Sequence, residues 1–208
     1  SSQLEKIFSE ANKNNYSEIF VNAIKSSFEI TDKEIINNPK YSNNVGSTAT
    51  IILLYKDPKN NHIRNFICAN VGDTKGILIS KNSIVNITQE HKCTDIKEVE
   101  RIKKSGGMVF NGRVFGTLML TRSFGDKEMK NYGVIATPSY YEKKIEDNDY
   151  FIVVASDGVW DVINEEELLK IGQTKISSEK FSEKIVELSK ERDTRDNVSC
   201  ITIKLNKL

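Results

Sequence analysis

Three strand ends in this chain each carry an aspartate. Phe151-Ile-Val-Val-Ala-Ser-Asp157-Gly158-Val-Trp-Asp161 reads as a buried strand that stops on Asp-Gly, with a second acid four residues on. Arg195-Asp196-Asn197-Val-Ser199 precedes a C-terminal strand, and Asn70-Val-Gly72-Asp73 ends an earlier one. Taken singly, each is a turn, because Asp, Asn and Gly tolerate unusual backbone angles. Taken together they imply a cation, since carboxylates that converge repel one another unless a metal sits among them.

The remaining ligand chemistry narrows the ion. The chain has two histidines, His62 in a polar turn and His91 after a strand, and neither stands in a zinc-type pattern. Cys68, Cys93 and Cys200 are odd in number and form no Cys-x-x-Cys pair, so no disulfide framework or zinc knuckle is indicated. Carboxylate oxygens without imidazole or thiolate select Mg²⁺ or Mn²⁺. Those ions suit phosphoryl chemistry, in which two metals about 4 Å apart activate a water and neutralise the phosphate.

Strands and helices must bring these acids together. Ile19, Phe20, Ala23, Ile24 and Phe28 share one helical face over residues 17–29, before the polar stretch 37–44. Residues 47–55 are rich in β-branched side chains, and the turn 57–61 leads to a returning strand over 64–71. Short strands follow at 76–80 and 83–88. Asp95 with Glu98 reads as a capping box for a helix whose stripe is Ile96, Val99 and Ile102, ending at Ser105-Gly106-Gly107. Segments 108–114 and 118–121 are extended, with a hairpin turn at Asn111-Gly112. Asn164 with Glu167 caps a helix over 165–171. Phe181, Ile185 and Leu188 mark a last helix before a strand at 198–205. Strands grouped around intervening helices, without strict βαβ alternation, predict an α+β fold with mostly antiparallel sheets.

Composition bounds the rest. The 208 residues, 38% hydrophobic and 28% charged, suffice for a sizeable core. Lys plus Arg is 30 and Asp plus Glu is 29, a balance that points to no nucleic-acid partner. No apolar run approaches the roughly 18 residues of a membrane span. Without a signal-peptide pattern or a disulfide framework, the expected setting is intracellular, cytoplasmic or nuclear.

Eight segments, in order along nearly the whole chain, carry a resemblance. They are Gly46-Ser-Thr-Ala49, Ala69-Asn-Val-Gly-Asp73, Thr88-Gln-Glu-His-Lys92, Glu100-Arg-Ile-Lys-Lys-Ser-Gly-Gly107, Arg113-Val-Phe-Gly-Thr-Leu118, Thr121-Arg-Ser-Phe-Gly-Asp126, Ala155-Ser-Asp-Gly-Val-Trp-Asp161 and Arg195-Asp-Asn-Val-Ser199. The sequence resembles the metal-dependent protein serine/threonine phosphatases of the PPM (type 2C) family. The resemblance implies a β-sandwich of two mostly antiparallel sheets flanked by helices, formed by residues 1–208 as one domain, with two or three Mn²⁺ or Mg²⁺ ions in the complete site. It matches Asp157 and Asp196 to ligands of the metal pair, and Asp73 and Asp161 to acids of a weaker, additional site. Gly158 permits the tight turn that presents Asp157. The implied reaction is attack of a metal-bridging water on phosphoserine or phosphothreonine in protein substrates. Residues 107–126 correspond to a flap beside the active site, where Arg113 and Arg122 are weighed as phosphate contacts against plain surface charges.

One departure stands out. The family's Asp-Gly-His-Gly-Gly, whose Asp bridges both metals and whose His is a candidate general acid, occurs nowhere in the chain. The upstream Arg for phosphate and Glu for metal are also missing. No catalytic residue is therefore assigned, and Ser1 is expected to fall within the helix that follows the motif, the domain being truncated on its N-terminal side. An N-terminal segment supplied by another chain, or by a distant part of the same protein, would complete an enzyme. The alternative is a pseudophosphatase, a catalytically inactive domain that binds or regulates other proteins.

Overall fold

The computed structural model describes residues 16–57, 60–174 and 176–205. The start of the chain, at Ser1, and the turn residues 58 and 59 lie outside them. Its contacts fall into two compact units, residues 1–49 with 91–139 and residues 50–90 with 140–208.

The second unit holds the acids. Strands β2 (Ala49–Asp57) and β3 (Asn60–Val71) form a three-stranded sheet with β9 (Ser139–Lys144) in the order β2-β3-β9. Strands β4 (Lys75–Ser80), β5 (Ile84–Asn86), β10 (Asp149–Ala155) and β11 (Cys200–Lys204) form a second, antiparallel sheet in the order β11-β10-β4-β5. Phe66, Cys68, Leu78 and Ile152 fill the layer between the sheets. On the other face of β4 and β10, Ile77, Ile79, Phe151 and Val153 pack with Leu168, Phe181 and Ile185. Those three belong to α5 (Glu165–Gly172) and α6 (Ser178–Glu191). This explains the uninterrupted apolar run 151–155: a central strand covered on both faces alternates between two cores, not between core and water.

Asp149 ends this sandwich as a satisfied buried acid. Ser80 Oγ donates to it at 2.6 Å, Lys143 pairs with it at 2.6 Å, and the Glu146 N–H donates at 2.9 Å. Burial opposes its charge, but these donors outweigh burial and lower its pKa.

The first unit is smaller and built from short pieces. Helix α1 (Tyr16–Asn37) buries Val21, Ile24, Phe28 and Asp32. It extends eight residues beyond the 17–29 stripe, and Asp32 continues its buried face through two contacts. Its Oδ1 accepts from the Gly125 N–H at 2.8 Å and pairs with Lys130 at 2.9 Å. Strands β1 (Gly46–Ser47) and β8 (Phe124–Gly125) pair antiparallel, and Phe124 meets Phe28 at 5.0 Å between ring centroids. Helix α2 (Ile96–Lys104) ends as its sequence predicts. Gly106 takes φ +83°, its N–H donates to Lys103 O, and Gly107 N donates to Ile102 O at 2.9 Å. Strands β6 (Val109–Phe110) and β7 (Arg113–Val114) turn at Asn111 and Gly112, both left-handed. Helix α3 (Lys127–Lys130) follows.

Several expectations change. His62 belongs to β3, not to a turn. Strand β9 and the short helices α3 and α4 (Asp157–Trp160) carry no period long enough to reveal them. Ile96, read as the start of an apolar stripe, is 74% exposed; the buried face of α2 is Glu98 with Ile102.

Candidate metal centre

All five residues expected to build the metal site lie in the second unit, at one end of the β11-β10-β4-β5 sheet. Ala155, the last residue of β10, pairs with Lys75, the first of β4, and with Cys200, the first of β11. The chain therefore enters β4 from Asp73, leaves β10 into Asp157, and enters β11 from Asp196, all at the same edge. Antiparallel pairing does this: it puts the end of the central strand beside the beginnings of both neighbours.

The two acid-bearing turns are packed together. A Cβ built on Gly158 would lie 2.5 Å from Asn197 O and 3.2 Å from Asp196 Cβ, so only glycine lets these backbones approach. Five further contacts hold the pair. Ser156 N donates to Ser199 O at 3.0 Å, Ser156 Oγ donates to Asn197 O at 3.1 Å and accepts from Ser199 N at 3.0 Å. Thr194 Oγ1 donates to Gly158 O at 2.8 Å, and Arg192 reaches Val162 O at 2.8 Å. Each carboxylate is oriented by its own turn: Asp157 Oδ1 accepts from Gly158 N at 3.0 Å, and Asp196 Oδ1 from Asn197 N at 2.6 Å. Asp157 and Asp73 are part-exposed, whereas Asp161 and Asp196 are exposed. Asp161 follows Asp157 by one helical turn, its N–H donating to Asp157 O at 2.9 Å.

The donor set at this edge is carboxylate, the chemistry of a hard cation. Cys200, the nearest thiol along the chain, is no competitor: burial pushes its pKa up to about 12, so it stays protonated at neutral pH. Among the described residues, no three His, Cys, Asp or Glu side chains gather into a group that could hold a metal. What this edge brings together is Asp157 and Asp196 through their backbones, with Asp73 and Asp161 on the adjoining turns.

The arginines weighed as phosphate contacts have other duties in the first unit. Arg122 grips Glu98 in two contacts, Nη2 to Oε1 at 2.6 Å and Nε to Oε2 at 3.0 Å, and its Nη1 donates to Thr137 O. Arg101 Nη2 and Thr121 Oγ1 also donate to Glu98 Oε2, at 2.7 and 2.8 Å. Burial would raise the pKa of Glu98, but these donors hold it far below the ordinary carboxylate range. The expected capping box is thus half formed: Asp95 caps Lys97 N at 2.9 Å, while Glu98 turns inward. Asn164 likewise caps Glu166 N, and Glu167 pairs with Arg192 instead of the cap. Arg113 is exposed and donates to Thr117 O. His91 is fully buried with Nε2 2.8 Å from Ser139 Oγ, a core histidine and not a ligand at the acid edge.

The family model for protein phosphatase 2C matches residues 1–198. The chain belongs to the protein phosphatase 2C family. It is 32% identical over 185 residues to Probable protein phosphatase 2C 45 of rice, covering 88% of this chain and 63% of the relative. It is 30% identical over 190 residues to Protein phosphatase 2C homolog 1 of Saccharomyces cerevisiae, covering 86% and 66%. The chain thus spans less than two thirds of the rice relative's length and about two thirds of the yeast relative's. A serine-threonine phosphatase 2C structure from Toxoplasma gondii shares the fold, with a TM-score of 0.79 at 18% identity over 98% of this chain and 74% of that one. Among the described residues, no helix of this 2C-family chain is long and apolar enough to cross a membrane.

Proposed function

We propose that this chain is the metal-binding part of a phosphatase that hydrolyses phosphoserine and phosphothreonine in proteins. The observation that carries the reading is the close approach of Gly158 to Asn197 and Asp196, which seats two aspartate-bearing turns side by side at one sheet edge. A scaffold without a site needs neither acid there. Asp157 and Asp196 would hold Mn²⁺ or Mg²⁺, with Asp73 and Asp161 serving a further ion. Such ions, when bound, supply a hydroxide nucleophile at neutral pH and neutralise phosphate charge. The chain's own contribution is to fix the carboxylates: each spends one oxygen on its own turn's N–H and keeps its other lone pairs for a ligand.

The remaining ligands, including the acid that bridges two ions, are assigned to a segment outside these 208 residues that carries Asp-Gly-His-Gly-Gly. It is supplied by the same protein or by a partner, and no general acid is assigned within the chain. An intracellular setting, cytoplasmic or nuclear, belongs to the same reading and is supported by three free cysteines. The competing reading, a pseudophosphatase that binds proteins without turnover, draws on the absence of that motif from the sequence.

Hydrolysis of a phosphothreonine peptide in Mn²⁺ decides between them, with a chelator control and with Asp157→Ala and Asp196→Ala. Turnover abolished by chelator and by either substitution supports the enzyme. Metal-independent turnover, or full activity in both variants, contradicts it. Absence of turnover after an Asp-Gly-His-Gly-Gly segment is restored favours the binding module.

A further inference from the structure

The hairpin of β6 and β7, in the first unit, turns an unusual face to water. Its inner side is ordinary: Val114 is fully buried with Ile102 and Val134, and Val109 packs against that cluster. Side chains alternate along a strand, so Met108, Phe110 and Arg113 belong to the outer side, where Phe110 and Arg113 stand opposite each other. An antiparallel pair with one face on a core carries polar residues on the other. Here that face shows a methionine 56% exposed and a phenylalanine 47% exposed, beside an exposed arginine.

Phe110 is held in place as well as exposed. Gly116, at φ +70°, lies against its ring: a Cβ built there would sit 2.5 Å from Phe110 Cζ. Arg113 is also fixed, its Nη1 donating to Thr117 O at 2.8 Å, which leaves the other guanidinium N–H groups for a further acceptor. An aromatic ring and a guanidinium oriented in advance lose little freedom on binding, the character of interface anchors. The surrounding charge has one sign. Residues 101–125 contain five basic side chains and no acid. Arg101 and Arg122 share Glu98. Lys103 and Lys104, on the last turn of α2 just before Met108, and Arg113 are exposed and form no ion pair among the described residues.

From this surface we infer that the β6–β7 hairpin is a docking site for an acidic, extended segment of another protein. An apolar side chain of that segment packs on Phe110 and Met108, and its flanking carboxylates meet Arg113, Lys103 and Lys104. A nucleic acid fits less well. The chain's net charge is +1, and three cations beside an apolar face trace no path for a phosphate backbone. The inference stands apart from the metal-centre reading, because it concerns binding in the absence of metal and of turnover.

Fluorescence anisotropy of a fluorescein-labelled peptide, Glu-Asp-Glu-Leu-Phe-Glu-Asp-Glu, titrated with this chain in metal-free buffer, tests the inference. Saturable binding with a Kd below about 100 μM is expected, the range of a small transient interface. Phe110→Ala is expected to weaken it about tenfold and Arg113→Met about fivefold. Both variants should keep the parent melting midpoint to within a few degrees, since both side chains are exposed. A peptide with Ser-Ser in place of Leu-Phe should bind about tenfold more weakly to the parent chain. That comparison leaves the protein unchanged, so it holds even where a variant fails to fold, and equal affinity for the two peptides is the contrary result. No saturable binding in the parent also overturns the docking site, as does tighter binding of a single-stranded oligonucleotide of the same charge. Self-association of the parent chain that Phe110→Ala abolishes would assign the hairpin to a second copy and contradict the inference.

Discussion

Gly158 and its two aspartate neighbours carry most of the argument at the scale of single residues. A methyl at Gly158 would collide with the carbonyl of Asn197, a backbone atom that cannot swing aside. Gly158→Ala should therefore cost about 1–3 kcal/mol, the range of overpacked sites, and displace the 194–199 loop. Thermal unfolding with Mn²⁺ titration checks this, the variant losing both stability and metal affinity. Asp157→Ala and Asp196→Ala, which remove part-exposed or exposed carboxylates, should leave the melting midpoint within a few degrees yet lower turnover at least about 100-fold. Gly158 was legible in the sequence as a turn glycine. That it meets Asn197 was not, because the contact joins residues 39 positions apart and depends on strand pairing.

Helix α2 shows what element-level patterns miss. Periodicity located the helix, the Asp95 cap and the Gly106 terminus, all local features encoded in adjacent residues. It placed Ile102 and Val99 on the inward side, where they are buried and half-buried, but it missed at Ile96. Ile96 points to solvent while Glu98 is buried, an exchange that becomes favourable because Arg122, Arg101 and Thr121 converge on that carboxylate from other segments. Hydrophobic pattern reading has no means of anticipating a buried charge matched by distant partners. Glu98→Gln should destabilise the first unit by about 3–5 kcal/mol at neutral pH, since it strands a guanidinium that is 15% exposed. Denaturant unfolding measures the loss. Asp95→Ala, which removes only the cap, should cost about 1 kcal/mol.

At the scale of the whole molecule, two buried carboxylates should govern acid stability. Glu98 and Asp149 are both held below their ordinary values of 4.5 and 3.8 by their donors, against the opposing effect of burial. The unfolded chain therefore takes up protons first as pH falls. Their contribution is fully present above about pH 5 and declines below the ordinary values, by up to 1.4 kcal/mol per pH unit for each proton. The melting midpoint should drop steeply between about pH 4.5 and 3, and Glu98→Gln should flatten that slope. A midpoint insensitive to pH in this window would contradict the assignment. The mostly antiparallel sheets with intervening helices were legible in the order of the segments, whereas the sandwich was legible only through the eight motifs that carry the family resemblance. The two-unit division of contacts was not legible, since units built from interleaved segments leave no linker in the sequence. The central claim is that the Asp157–Asp196 edge holds metal. It is tested most directly by anomalous diffraction at the manganese edge from crystals grown in Mn²⁺. The account predicts a peak within coordinating reach of both carboxylates, lost in Asp157→Ala. A map with no peak at this edge, or a peak that survives that substitution unchanged, would contradict it.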